Sequence, residues 1–130
     1  MKVLITGGAG FIGSHIVEFL QGKAEISVLD NVRSGSWNNL DDFQYDRIKG
    51  SILDRDLVRE AMQGVDYVFH LAAMASVPES IENPVECTEI NITGTLIVLE
   101  EAARAKAKRL IFSSSAAMIT CFFKSEMQKK

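Results

Sequence analysis

Three glycines, Gly7, Gly10 and Gly13, recur at a spacing of three near the start of the chain. Placed between a strand and a helix, that spacing makes a cradle for an anion. Gly7 permits a tight turn, Gly10 lets the backbone approach a diphosphate with no Cβ in the way, and Gly13 lets the helix pack close to the strand. N–H groups at the start of the helix face the phosphates, and the helix dipole adds about 0.3–1 kcal/mol for a negative group there. Asp30 ends the next apolar run. Its carboxylate can accept both hydroxyls of an adenosine ribose while repelling a 2′-phosphate, so the two features together point to a dinucleotide, NAD in preference to NADP. Arg33 follows closely, and a guanidinium has the chemistry to meet a 2′-phosphate, but it adds to the carboxylate rather than replacing it.

The remaining reactive residue types read as structural. His15 falls within a helical pattern and His70 at a strand end, and neither has partners spaced for a metal. Asp41-Asp42 and Asp54 with Asp56 lack a third ligand and read as a solvated loop and a helix start. Cys87 and Cys121 are too far apart for a zinc pair and read as buried thiols of a reducing compartment. No metal site is expected.

The elements that must position the cradle follow from apolar runs and breakers. Val3-Leu4-Ile5 is a short continuous run ended by glycines, as for a strand buried on both faces of a parallel sheet. Ile12, Ile16, Phe19 and Leu20 recur at helical spacing as the core face of a helix that Gly22 stops. Ile26, Val28 and Leu29 lead a second strand to Asp30, and a polar loop follows. A third strand is expected over Arg47–Gly50. Asp54 caps a helix with Leu57, Val58, Ala61 and Met62 inward, and a fourth strand runs Val65–His70. Asn83, Pro84 and Glu86 form a capping box opening one long helix to about Ala105, with Ile90, Leu96, Leu99 and Ala103 at its core face. Arg109–Ser113 is a fifth strand. Strand and helix alternate, so right-handed crossovers predict an α/β Rossmann-type parallel sheet of about five strands in the order 3-2-1-4-5.

The totals fit one domain. The chain has 130 residues, 47% apolar and 24% charged, with fourteen basic against seventeen acidic residues for a net charge of −3. A domain of this length buries roughly two-thirds of its unfolded surface. Arg104, Lys106, Lys108 and Arg109 are the one basic cluster, and they sit where cations favour a helix C-terminus, so no nucleic-acid partner is expected. No apolar stretch approaches the roughly 18 residues of a membrane span, and no leader pattern precedes Lys2, so a cytoplasmic protein with no membrane partner is expected.

Five motifs in order carry a family resemblance: Ile5-Thr6-Gly7-Gly8-Ala9-Gly10-Phe11-Ile12-Gly13-Ser14-His15, Asp30-Asn31, Val68-Phe69-His70-Leu71-Ala72-Ala73, Asn91-Ile92-Thr93-Gly94-Thr95 and Phe112-Ser113-Ser114-Ser115-Ala116-Ala117. Together they resemble the extended short-chain dehydrogenase/reductases, especially the nucleotide-sugar epimerases of the UDP-glucose 4-epimerase type. The resemblance implies that Gly7, Gly10, Phe11, Ile12 and Gly13 line the diphosphate, that Asp30 and Asn31 take the adenosine ribose with Ser34 and Gly35 nearby, and that Ser51-Ile52 meets the adenine. Ser51 departs from the family's aspartate there and should weaken one hydrogen bond to the base. Leu71, Ala72 and Ala73 would flank the cofactor's middle, Asn91 would steady that segment, Ser113 would lie near the nicotinamide ribose, and Ser115 matches the family's catalytic serine.

The match covers residues 1–117, the expected cofactor-binding half-fold, and stops where Met118-Ile119-Thr120 replaces the family's Val-Tyr-Gly; residues 118–130 form a divergent tail. The family's Tyr-x-x-x-Lys pair on a later helix is missing. Tyr45 and Lys49 have that spacing, but they lie at the third strand rather than on a helix after the fifth, and in an extended strand four residues span about 13 Å, too far for a lysine to lower the phenol's pKa. The expectation is a chain that binds NAD and is silent as an enzyme alone; a nucleotide-sugar substrate follows from the resemblance only. Two alternatives stay open, a cofactor-sensing or scaffold module, and an active epimerase whose site another chain completes. An uncovered fifth strand and the apolar run Met118–Phe123 predict a homo-oligomer.

Overall fold

A computed structural model describes residues 1–114. Five strands form one parallel sheet: β1 (Lys2–Thr6), β2 (Glu25–Asp30), β3 (Asp46–Lys49), β4 (Tyr67–His70) and β5 (Arg109–Phe112), in the spatial order β3-β2-β1-β4-β5. That is the Rossmann-like order read from the sequence. Val3, Leu4 and Ile5 are buried on both faces of the sheet, which explains why the strand carries no polar alternation.

Helix α1 (Phe11–Leu20) covers one face, where it packs with Val3, Ile5, Ile26, Val28 and Leu40. Helices α2 (Arg55–Ala61) and α5 (Thr95–Arg104) cover the other over Leu4, Leu29 and Val68. Asp54 caps α2 as expected, its carboxylate accepting from Leu57 N at 3.1 Å. The third, fourth and fifth strands differ from the expected spans only at their ends.

Two helix faces were misassigned. In α1 the buried residues are Gly13, Ser14, Val17 and Leu20, whereas Ile12 and Phe19 are exposed. The contact of Gly13 with the first turn sets the helix rotation and turns its larger apolar residues outward. The single long helix is three pieces: α4 (Pro84–Thr88), a π-helical turn over Glu89–Gly94, and α5. In α5, Ile97, Val98, Glu101 and Ala102 face the core in place of Leu96, Leu99 and Ala103, at ordinary helical spacing from Ile90. Pro84 does open α4, but the Asn83 side chain makes no cap bond. A short helix α3 (Val77–Glu82), capped by Ser76, was not foreseen.

Glu101 is the one carboxylate in the core among the described residues, with its side chain 1% exposed. Burial pushes its pKa up, but hydrogen bonds from Arg59 and Arg55 outweigh that and hold it below the usual carboxylate range. Arg104, one of the expected basic cluster, also reaches Glu101 at 3.3 Å. Lys108, another, pairs with Asp66 at 2.8 Å.

Candidate functional site

The carboxyl ends of β1, β2 and β4 open into one cleft of about 270 Å³. It lies where the chain leaves β1 with β2 on one side and β4 on the other, the switch point at which open parallel sheets bind ligands. The register puts Thr6 beside Leu29 and His70, so three loops begin at one level.

The floor is the glycine turn. Gly7 has φ +74°, and a Cβ there would stand 2.6 Å from Ala72 N in the loop after β4. A Cβ on Gly13 would stand 2.5 Å from Gly7 O, so helix and turn touch directly. Gly10 differs. Within 4 Å its Cβ would meet only Gly7 O, at 3.3 Å, leaving the rest of that space to the cleft. The amides of Phe11, Ile12 and Gly13 open α1 without intrahelical acceptors, and all three residues line the cleft. Backbone N–H groups, a dipole's positive end and space that a side chain would fill suit a diphosphate.

The β2 side is held to this turn by Asp30. Its Oδ2 accepts from Ala9 N at 2.9 Å and its Oδ1 from Val32 N at 2.7 Å. Each carboxylate oxygen keeps acceptor capacity, so the group is oriented and still able to receive hydroxyls. Ala9 O accepts in turn from Ser36 N at 3.0 Å and Asn39 Nδ2 at 2.8 Å, tying the following loop to the turn. Asn31, Ser34 and Gly35 line the cleft here, with Asn31 Oδ1 accepting from Arg33 N at 3.1 Å. Arg33 also lines the cleft but is committed elsewhere: Glu79 and Glu86 hold its guanidinium.

Ser51 and Ile52 stand on the wall beyond β3, where Ser51 Oγ accepts from Leu53 N at 3.1 Å. Leu71, Ala72 and Ala73 form the β4 side. Asn91 does not line the cleft; it steadies that loop from the π turn, accepting from Met74 N at 2.8 Å and donating to Met74 O at 3.0 Å. Ser113 lines the far end, its N–H donating to His70 O at 3.2 Å. Ser115 and residues 118–130 lie outside the described residues.

His70 is buried beneath the cleft. Its Nε2 lies 2.9 Å from Thr95 Oγ1, and that hydroxyl donates its one proton to Asn91 O at 2.8 Å, so Nε2 carries the hydrogen and Nδ1 accepts from Thr6 Oγ1 at 2.7 Å. Burial lowers its pKa to about 4, so the ring is neutral. Thr6 and Thr95 stand within the motifs quoted above, but no role was expected of either, because hydroxyls in a strand and a helix carry no spacing signal. Leu29, Gly50, Ala75 and Ile90 also line the cleft unforeseen. Tyr45 stacks on Trp37 and its hydroxyl accepts from Arg47, among residues that do not line the cleft. Among the described residues no three His, Cys, Asp or Glu side chains gather for a metal, and no helix is long and apolar enough to cross a membrane.

Residues 3–122 match the NAD dependent epimerase/dehydratase family. The chain belongs to that family. A UDP-glucose 4-epimerase of Yersinia enterocolitica is 39% identical over 127 residues, covering 89% of this chain and 37% of that one. The solved UDP-glucose 4-epimerase of Thermus thermophilus in complex with NAD is 40% identical with a TM-score of 0.82, over 88% of this chain and 38% of that one. A UDP-N-acetylglucosamine 4-epimerase of Methanobrevibacter ruminantium in complex with UDP-N-acetylmuramic acid is 39% identical with a TM-score of 0.83, over 89% and 38%. This epimerase/dehydratase family chain thus spans less than two fifths of the length of these relatives.

Proposed function

We propose that the chain binds NAD in this cleft and is the cofactor-binding portion of a UDP-glucose 4-epimerase-like nucleotide-sugar enzyme of the cytoplasm. The observation that carries the reading is the joint placement of the α1 N-terminus, the open space over Gly10 and the Asp30 carboxylate around one cleft. In this reading the amides of Phe11, Ile12 and Gly13 hold the diphosphate, with Gly7 shaping the turn. Asp30 and Asn31 take the adenosine ribose, with Ser34 and Gly35 beside it. Ser51 and Ile52 receive the adenine, and a serine in place of a carboxylate leaves the base one acceptor poorer. Leu71, Ala72 and Ala73 lie along the middle of the dinucleotide, Asn91 positions them, and Ser113 meets the nicotinamide ribose.

Bound NAD would supply a two-electron oxidant for a sugar carbinol. Ser115 would hydrogen-bond that hydroxyl, but a serine cannot by itself remove the proton at neutral pH. Tyr45 and Lys49 are in the wrong place to do so, and Tyr67 has a leucine, Leu71, four residues on. We therefore infer that these 130 residues bind the cofactor and are silent as an enzyme alone. Calorimetric titration of the purified chain should give NAD binding, while interconversion of UDP-glucose and UDP-galactose stays at background. Steady turnover would establish a completed site, and no heat of binding from a folded chain would leave only a scaffold role. Gly10→Ala is the sharpest variant: its new methyl meets almost no protein, so the fold should persist while NAD affinity drops about tenfold or more.

A further inference from the structure

Arg33 lines the cleft with Asp30, and two carboxylates from outside that lining, Glu79 and Glu86, hold its guanidinium at the rim. Arg33 Nε and Nη2 donate to Glu79 Oε1 at 3.0 and 2.6 Å, and Nη1 and Nη2 donate to Glu86 Oε1 and Oε2 at 2.5 and 3.1 Å. Glu79 is in the first turn of α3 and Glu86 in the first turn of α4. They reach Arg33 across 46 and 53 residues of sequence, so the bond joins the β2 loop to the far side of the β4 loop. The backbone aims Arg33 there. Asp30 and Asn31 each accept from an amide two residues on, and Val32, just before Arg33, takes a left-handed φ of 52°.

An arginine just after the acidic residue of a dinucleotide site is the natural receptor for a 2′-phosphate, because its planar fork matches phosphate as well as carboxylate. Here the fork is filled. One positive and two negative charges leave the cluster net negative, and Asp30, three residues before Arg33, adds a further carboxylate to the lining of the same cleft. The side chains are a third to a half exposed, so the contacts are open to solvent but directional.

We propose that Glu79 and Glu86 make this rim a cofactor-selectivity element: they occupy Arg33 and present negative charge where a 2′-phosphate would lie, so that NAD is admitted and NADP refused. The inference rests on the reading of the cleft as an NAD site with the adenosine ribose at Asp30. A 2′-phosphate would have to displace two carboxylates from the guanidinium while approaching a third. Free ribose hydroxyls meet no such barrier.

The test is titration of the full chain with NAD and with NADP, by calorimetry or fluorescence. Wild type should prefer NAD. In E79Q/E86Q the freed guanidinium should lower the ratio of the NADP to the NAD dissociation constant by about tenfold or more, and raising salt from about 50 to about 500 mM should erase much of that gain. Arg33→Ala, which bares both carboxylates, should shift the ratio the other way. If the double variant fails to fold, each single Glu→Gln variant should give about a threefold fall. A folded E79Q/E86Q chain that keeps the wild-type ratio would overturn the proposal and leave selection to Asp30. Failure of wild type to bind either nucleotide would overturn the reading of the cleft itself, and the selectivity with it.

Discussion

His70 shows how a single buried side chain couples the site to pH. Its two ring nitrogens are satisfied by Thr6 and Thr95 only while the ring is neutral, because a second ring proton would face a hydroxyl that must then reverse. Its pKa is about 4 when folded against an ordinary 6.5, so between those values the unfolded chain binds a proton that the folded chain refuses. The stabilisation is complete above pH 6.5 and is lost as the pH falls toward 4. Between pH 7 and pH 5 the loss is about 2 kcal/mol. Urea midpoints across that range should fall accordingly, and His70→Gln should flatten the dependence. Gly13→Ala belongs at the same scale. Its methyl would stand 2.5 Å from Gly7 O and Gly8 Cα, so it should lower both the urea midpoint and NAD affinity, unlike Gly10→Ala.

At the scale of elements, the π turn does most to shape the site. It puts Asn91 where one side-chain amide serves both the N–H and the carbonyl of Met74. Asn91→Ala strands both groups and should cost about 1–3 kcal/mol in urea unfolding. Asn91→Asp should be little better, since its second oxygen would face the Met74 carbonyl. On α5, Glu101→Gln should lower the melting temperature more than Arg104→Ala, because the first weakens contacts to three arginines and the second removes one of them. The strands and the glycine turn were legible because continuous apolar runs and strand-to-helix glycines are local signals. The face of α5 was not, since Leu96, Ile97, Val98 and Leu99 put apolar side chains on every side of its first turn and the buried face includes the charged Glu101. Glu101 was illegible for another reason. A charged residue reads as surface until its partners are known, and two of those partners come from α2.

At the scale of the molecule, the cleft is assembled from loops that are distant in sequence, and every residue expected at the cofactor lines it except Asn91, which acts from behind. What the sequence did not reveal is the pairing of Arg33, since nothing local links it to α3 or α4. A second consequence concerns the outer side of α1. Phe11, Ile12 and Phe19 are exposed there and join Phe69 around an apolar groove of about 420 Å³, with Ile111 exposed on β5 beside Phe69. The 14.3 kDa chain is expected to self-associate through this side, so size-exclusion chromatography at micromolar concentration should give a dimer or larger. A clean monomer would count against it.

The bonds made by Ala9 limit how portable the anion cradle is. Its N–H is held by Asp30 and its carbonyl by Ser36 and Asn39, while Gly7 N donates to Leu29 O at 2.9 Å. A peptide of residues 1–21 grafted onto another scaffold would carry the amides but none of these tethers, and its turn would be left to wander. In this fold the smallest transplantable unit for gripping phosphate reaches as far as Asn39.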